Sequence, residues 1–562
     1  MPIPRKPDRL LRDELTQLVM SGSMARDLTA DRATLSAILT EAREGRLAQA
    51  IARARAALKE GLEHPLPLNL AALGLEQEGR GAEAEPLLRR AVAIAPRDVG
   101  CRNALGLCLL NLSRPREALE QFDAALALES KTAYAYVNRG NALHALGTRE
   151  AAEQSYRRAL ELDPNQAMAL AGLASVACWR GAYDEARSPA EKALAVSPAL
   201  PEAMMSLAEV ELADGALGRA EARARAVLAA NSLSASQRAH AHGLLGDILD
   251  GAGRCEEAFA QYTACNATLR QLNAGRFPSA LEYVQSLARW WDRAAQSHSP
   301  RRRQPKARAG AAKHVFVLGF LRSGTTLLGA VLEGHPRVAM LQEEECLLDS
   351  VQEFLRRPDD LERLARASPE MLKRFRAAYW RRVSDAGVDV TGKVFVDTCA
   401  LNSLKLPLIA RLFPTAKILF SCRDPRDLVL SCVTHRLTSS APAYELLTLE
   451  GAARYYVAVT DLLVRLTQLL SLEVCLVRHE DMVTAFAREM ARLCEFLGLE
   501  WHPAMGDFAL RAGAREEPLA AVAQLVRGLG TEGIGRWRRY RRQLEPVAGM
   551  LAPWVARFFY DD

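Results

Sequence analysis

A spacing of 34 residues governs the first half of the chain. Small residues stand one period apart at Gly45, Gly79, Ser113, Gly147, Gly181 and Gly215. Five residues after each comes an alanine: Ala50, Ala84, Ala118, Ala152, Ala186 and Ala220. Seven further on comes another: Ala57, Ala91, Ala125, Ala159 and Ala193. Pro96, Pro164 and Pro198 keep the same phase, and Gly253 with Ala258 restarts it after a four-residue insertion. Such a repeat restricts the fold severely. Each unit is too small to bury its apolar face alone, so consecutive units must stack into an array.

The residue types at those positions describe a helix-turn-helix unit. Glycine at the turn supplies a left-handed backbone without steric cost. Alanine marks the places where two helices cross too closely for a larger side chain. Proline opens the connection to the next unit because it cannot continue a helix interior. The pattern resembles the tetratricopeptide repeat, and NRGNALHALGTREAAEQSYRRALELDP, Asn138 to Pro164, is its best copy. The resemblance implies an all-α solenoid of about seven units with irregular ends. Its concave surface would hold a protein or peptide, and nothing in the sequence names that ligand.

The chain has 562 residues, more than one core can serve, so a second folding unit is expected. Its net charge of +6 is small against 73 basic and 67 acidic side chains and does not argue for nucleic acid or membrane binding. Arg5, Lys6, Arg9, Arg12, Asp13 and Glu14 break any apolar run at the start, so no signal peptide is expected. No stretch is long and apolar enough to predict a membrane span. The 11 cysteines make no Cys-x-x-Cys pair and no zinc spacing, which predicts reduced thiols, no metal site and a cytoplasmic location.

Composition divides the chain further. Residues 1–30 precede the repeats, which are expected over 31–270. A helical connector around Leu281–Ala295 follows, and then a linker with Arg301, Arg302, Arg303, Lys306 and Arg308, together 271–312. From 313 the helical period gives way to short apolar runs: HVFVLGF (His314–Phe320), KILFSC (Lys417–Cys422) and VCLV (Val474–Val477). Buried strands alternating with helical segments predict a parallel α/β sheet over 313–562.

GFLRSGTTLLGAVLEGHP, Gly319 to Pro336, holds the densest chemistry. A buried strand ends at Phe320, a tight loop carries Arg322, Ser323 and Gly324, and a helix opens at Thr325 and Thr326. Backbone N–H groups at a helix N-terminus bind phosphate through hydrogen bonds and the helix dipole. Arg322 adds a fork of charged donors, and the threonine hydroxyls add more. Gly319 and Gly324 have the spacing of the Walker A pattern, but Thr325 stands where that pattern needs Lys. A P-loop kinase or NTPase is therefore disfavoured.

The segment resembles the 5′-phosphosulfate loop of sulfotransferases, especially protein-tyrosine sulfotransferases and bacterial relatives fused to repeats. The resemblance implies a three-layer, P-loop-like α/β domain over about residues 313–562, and 3′-phosphoadenosine-5′-phosphosulfate (PAPS) as donor with no metal. Arg322, Ser323, Gly324, Thr325 and Thr326 would bind the phosphosulfate. In FSCRDPRDLVLSC, Arg423 and, eight residues on, Ser431 would grip the 3′-phosphate. His335-Pro336 is followed by RVAMLQEEE, where the family's base falls on Glu343, with Glu344 and Glu345 adjacent. His479 in VRHEDMV stands where an aromatic residue meets the adenine, and Arg536 in GRWRRY is the basic residue of the closing motif. Glu343 and Arg322 are thus the candidate catalytic residues.

Two family positions differ. Thr398, in DTCALN, replaces a Lys that would stabilise the transferring sulfonate, and Ala520 or Ala521 replaces a Ser before the closing motif. The first expectation is a PAPS-dependent sulfotransferase acting on a hydroxyl or phenol, peptide tyrosine among the acceptors, with the repeats recruiting a protein or peptide. The alternative is an interaction scaffold whose sulfotransferase-like domain binds nucleotide but turns over weakly or not at all.

Overall fold

The computed structural model describes residues 28–112, 114–230, 233–297, 310–436, 440–470, 472–513 and 528–560. Ser113, the arginines of the linker and Ala520 and Ala521 lie outside them. The chain forms two compact units, Met1–Arg223 and Ala224–Asp562.

The first unit is a helical solenoid. Antiparallel pairs follow one another, as in Pro65–Gln77 with Gly81–Ile94 and Ala133–Ala145 with Arg149–Leu162. The periodic residues do what their chemistry dictates. Gly45, Gly79, Gly147, Gly181 and Gly215 have φ between 74° and 81°. At Gly147 the Thr148 N–H returns to the Leu143 carbonyl at 3.0 Å, closing the helix end while the chain reverses. Ala50, Ala84, Ala118, Ala152, Ala186 and Ala220 are all 0% exposed, the mark of close helix crossings. A further match joins Gly140 to Tyr156: a Cβ on Gly140 would stand 2.5 Å from the buried ring. That glycine makes room for a large aromatic residue on the partner helix.

The second unit opens with a helix pair, α1 (Ala235–Gly251) and α2 (Cys255–Leu272), and a longer helix α3 (Ala280–Ser297). Then come β1 (Lys313–Gly319), α4 (Thr325–Leu332), β2 (Val338–Gln342), α5 (Pro369–Asp385), β3 (Val394–Thr398), α6 (Leu406–Leu412) and β4 (Lys417–Cys422). After these follow α7 (Pro425–Thr434), α8 (Leu449–Leu469), β5 (Glu473–Arg478), α9 (His479–Thr484), α10 (Phe486–Leu497) and α11 (Arg541–Arg557), with shorter turns between.

The five strands are parallel, in the order β2-β3-β1-β4-β5. Both faces of the sheet are covered, as an all-parallel sheet requires. Phe316, Leu318, Phe395, Ile418 and Phe420 face one core, shared with α3, α5, α8 and α11. Val315, Val317, Val394, Val396, Leu419 and Val477 face the other, shared with α4 and α10. The predicted strands β1, β4 and β5 are present. β2 and β3 are two strands that the sequence reading did not identify.

Candidate donor and acceptor site

Because every strand runs the same way, all five carboxyl ends open on one edge of the sheet. Ligands of open α/β sheets bind at this edge, where successive connections leave a strand in opposite directions. β1 is that divide here, with β3 on one side and β4 on the other. Most of the sequence-predicted site residues follow a strand end: Arg322 to Thr326 after β1, Glu343 after β2, Arg423 after β4 and His479 after β5, while Ser431 lies within α7 and Arg536 just ahead of α11.

The loop after β1 is held from below by two serines. The Ser403 hydroxyl accepts from the Gly319 N–H at 3.0 Å and donates to the Gly319 carbonyl at 2.5 Å. The Ser421 hydroxyl donates to the Ser323 carbonyl at 2.9 Å. Arg322 takes φ of 70° and Gly324 takes 100°, so the loop turns sharply into α4. No side chain caps that helix start. Its first-turn N–H groups have no carbonyl four residues back, so they remain available to an anion. The Ser323 side chain is 0% exposed, and its Oγ has no hydrogen-bond partner among the described residues.

Arg322 reaches across to α7. Its Nε lies 3.3 Å from the Ser431 hydroxyl and its NH2 lies 2.7 Å from His435 Nε2. His435 Nδ1 is 2.8 Å from the Ser431 carbonyl. The His435 ring reaches solvent yet sits deep in the cleft. That crowding and the Arg322 guanidinium push it well below the usual histidine range. It is therefore neutral and able to accept from Arg322.

Arg423 begins the connection from β4 into α7. The two carboxylates beside it in sequence do not take it. Asp424 pairs with Arg426 at 2.8 Å, and Asp427 accepts from the Gly535 and Trp537 N–H groups at 2.6 and 2.7 Å. Arg423 instead donates to the Gly533 carbonyl at 2.6 Å, and its buried Nε lacks a hydrogen-bond partner among the described residues. His479 packs over Gly324, where an added Cβ would come within 2.6 Å of Nδ1. Burial first, then Arg423 and Arg322, push His479 down to about 3, and its Nδ1 is also unpartnered. Unsatisfied buried donors and neutral histidines around two arginines form an environment that an anionic ligand would complete.

Glu343 lies on the other side of β1. It has φ of 56°, and its N–H bonds the Thr398 carbonyl at 2.8 Å. The carboxyl is open to water but recessed among protein atoms. This crowding raises it above the ordinary carboxylate range, against an opposing pull from Lys405. Lys405, nearly buried, forms an ion pair with Glu345. Thr398 is 2% exposed and its hydroxyl contacts the Met340 sulfur at 3.3 Å. Arg536 is 3.0 Å from Asp250 and 3.3 Å from the Thr434 hydroxyl.

Sequence reasoning missed His435 and gave Lys405 and Asp427 no place in the site. His435 had a legible signal: it stands four residues after Ser431 and so shares its helix face. The other two depend on which segments the sheet brings together. Among the described residues no cluster of side chains could hold a metal ion, and no helix is long and apolar enough to cross a membrane.

Comparison with known proteins finds matches in two separate parts of the chain. A sulfotransferase family model matches residues 314–503, and a tetratricopeptide repeat model matches 35–99 and 103–167. Protein-tyrosine sulfotransferase 1 of Danio rerio is 25% identical over 261 residues, 44% of this chain and 72% of that one. Protein-tyrosine sulfotransferase A of Caenorhabditis elegans is 25% identical over 260 residues, 44% of this chain and 67% of that one. The Drosophila melanogaster protein-tyrosine sulfotransferase is 23% identical, and the match spans 46% of its length. A tetratricopeptide repeat protein from Parabacteroides merdae, solved by crystallography, is 18% identical with a TM-score of 0.35, over 43% of this chain and 93% of that one.

Proposed function

From a chain in which tetratricopeptide repeats precede a sulfotransferase domain, we propose a PAPS-dependent enzyme that sulfates a hydroxyl or phenol, peptide tyrosine among the candidates. One observation carries the reading: Arg322, Arg423 and the uncapped start of α4 converge on one side of β1, while the recessed Glu343 follows the neighbouring strands. This arrangement supports an anion site and a base at one sheet edge.

In this reading the α4 N–H groups, Thr325, Thr326 and Arg322 hold the 5′-phosphosulfate. Arg423 and Ser431 hold the 3′-phosphate, and His479 lies beside the adenine. The acceptor oxygen attacks sulfur in line, the bond from sulfur to the phosphate oxygen breaks, and Glu343 takes the acceptor proton. A carboxylate raised toward working pH is a better base than an ordinary one. Adenosine 3′,5′-bisphosphate leaves with its new charge met by Arg322 and the loop N–H groups. The repeats present a surface on which a protein or peptide acceptor docks.

Thr398 favours a second reading, a nucleotide-binding scaffold with weak turnover, because no cation follows β3 directly. Calorimetric titration with adenosine 3′,5′-bisphosphate, without added metal, is the first test. Binding near micromolar that Arg423→Ala abolishes supports the donor site, whereas a folded chain that does not bind would sink it. Transfer of labelled sulfate from PAPS to tyrosine peptides then separates enzyme from scaffold.

A further inference from the structure

Asp250 is the next-to-last residue of α1. A carboxylate there opposes the helix dipole, so its place has to be offset by donors from elsewhere. Among the described residues, the side chains that reach this carboxylate come from one short segment, Arg536–Tyr540. Arg536 lies 3.0 Å from Oδ2, Arg539 lies 2.9 Å from Oδ1, and the Tyr540 hydroxyl donates to Oδ1 at 2.7 Å. Arg539 also donates to the Asp250 carbonyl at 2.6 Å. The carboxylate and the Arg536 side chain are both largely screened from water, at 18% and 19% exposure.

The same stretch of chain is fixed from its other side by the donor site. Asp427 of α7 holds the Gly535 and Trp537 N–H groups, the Arg426 guanidinium lies 3.7 Å over the Trp537 ring, and the Gly533 carbonyl takes Arg423. Arg536 itself donates to Thr434, the residue before His435, and its charge is one of those that depress His435. Its buried Nε has no hydrogen-bond partner among the described residues.

The helix pair α1–α2 is joined to the end of α7 at two further places. Asp247 accepts from Arg436 at 2.9 Å and from the Tyr262 hydroxyl at 3.0 Å. The buried Asn266 donates to the Val433 carbonyl at 2.9 Å. Gly243 permits the close approach: a Cβ there would meet the Arg436 guanidinium at 2.3 Å.

We propose that Asp250, on the helix pair preceding the sheet, is a positioning residue of the donor site that acts through Arg536. The proposal rests on the donor-site reading above. Two guanidinium groups share one carboxylate, so the pair is held together only while that charge is present. Without it Arg536 and Arg539 repel, and the strap from Gly533 to Tyr540 keeps on α1 only the Arg539 bond to the Asp250 carbonyl and the Tyr540 hydroxyl contact. Arg536 and the Gly533 carbonyl then no longer hold fixed positions around the nucleotide phosphates. The helix pair is in this sense part of the enzyme's donor site.

The experiment measures the affinity of full-length variants for adenosine 3′,5′-bisphosphate by calorimetry, with thermal unfolding in parallel. Asp250→Asn should weaken binding about five- to tenfold. In an Arg536→Ala background it should cause no further loss, because both changes remove the same oriented guanidinium. Arg542→Ala breaks an exposed pair with Glu256, which joins α11 to α2, and should leave affinity unchanged. If Asp250→Asn does not fold, Asp250→Glu reads the same coupling, with a loss that again vanishes in the Arg536→Ala background. Unchanged affinity in a folded Asp250 variant, or an equal additional loss without Arg536, would overturn the proposal while leaving the donor-site reading intact. A wild-type chain that does not bind the nucleotide overturns that reading, and this proposal with it.

Discussion

Arg322 and Ser431 meet at 3.3 Å although 109 residues separate them in the chain. The contact ties the loop after β1 to the helix after β4, the two connections that leave the sheet on either side of its topological divide. In the proposed site it also means that the arginine assigned to the phosphosulfate and the hydroxyl assigned to the 3′-phosphate restrain one another. Arg322→Ala should therefore affect both ends of the donor. Adenosine 3′,5′-bisphosphate affinity should fall by about tenfold or more, the range of one charged hydrogen bond. Equal affinity in calorimetry would detach Arg322 from the site.

Arg423→Ala should cost more. Among the described residues no carboxylate forms an ion pair with its guanidinium, since Asp424 and Asp427 are already engaged. Most of its binding capacity is left for a ligand. A loss of about 10- to 100-fold in nucleotide affinity is expected, and it should shrink as ionic strength rises. A salt-independent affinity in the wild type would argue against a charge-based site.

Glu343→Gln should separate binding from chemistry. Nucleotide affinity should stay within twofold or so, while turnover falls by about 10²- to 10⁴-fold, the usual worth of a general base. Because crowding raises the Glu343 carboxyl, the acid limb of the wild-type pH–rate profile should lie above the ordinary carboxylate range. The base works only when deprotonated, so the rate should rise with pH through that limb. A limb that persists unchanged in Glu343→Gln would assign it to another group.

Asp397 gives a pH dependence of stability. It is 2% exposed, and burial raises it to about 7 despite hydrogen bonds from Tyr379 and Asn402. A raised carboxylate binds its proton more tightly folded than unfolded. Its stabilising share is complete below the unfolded value near 4 and is lost as pH rises through about 7. Wild type should therefore lose melting temperature between pH 6 and pH 8 relative to Asp397→Asn. Parallel curves for the two proteins would contradict this.

Gly140→Ala tests the repeats alone. The new Cβ would press on the buried Tyr156 ring at 2.5 Å, an overpacking worth about 1–3 kcal/mol. The melting transition of the repeats should drop with nucleotide binding unaffected. A stabilised array, as helix propensity alone would predict, would show that the ring moves aside.

Much of this was legible in the sequence because it depends on local chemistry. A glycine at a helix end announces its own φ, so Gly147 and its periodic partners could be placed from spacing. The loop from Gly319 to Thr326 carries its function in consecutive residues. β2 and β3 were not legible. VAMLQ and VFVDT are five residues each, too short for periodicity to separate strand from helix or loop, and parallel pairing makes them strands. Glu343 could be singled out from motif order, but neither its place after β2 nor its left-handed backbone followed from the sequence. His435 and Lys405 enter the site only through tertiary folding, and Asp250 meets Arg536 across 286 residues of chain.

The helix pair α1–α2 belongs to the second compact unit, which begins at Ala224. A division of this protein just ahead of β1 would keep the whole sheet and discard Asp247, Asp250 and Asn266. Such a fragment would expose the end of α7 and leave the Arg536–Tyr540 strap tethered on one side only. A cut ahead of Ser234 would keep that helix pair with the sheet it supports, so the α/β half of this chain starts well ahead of its first strand.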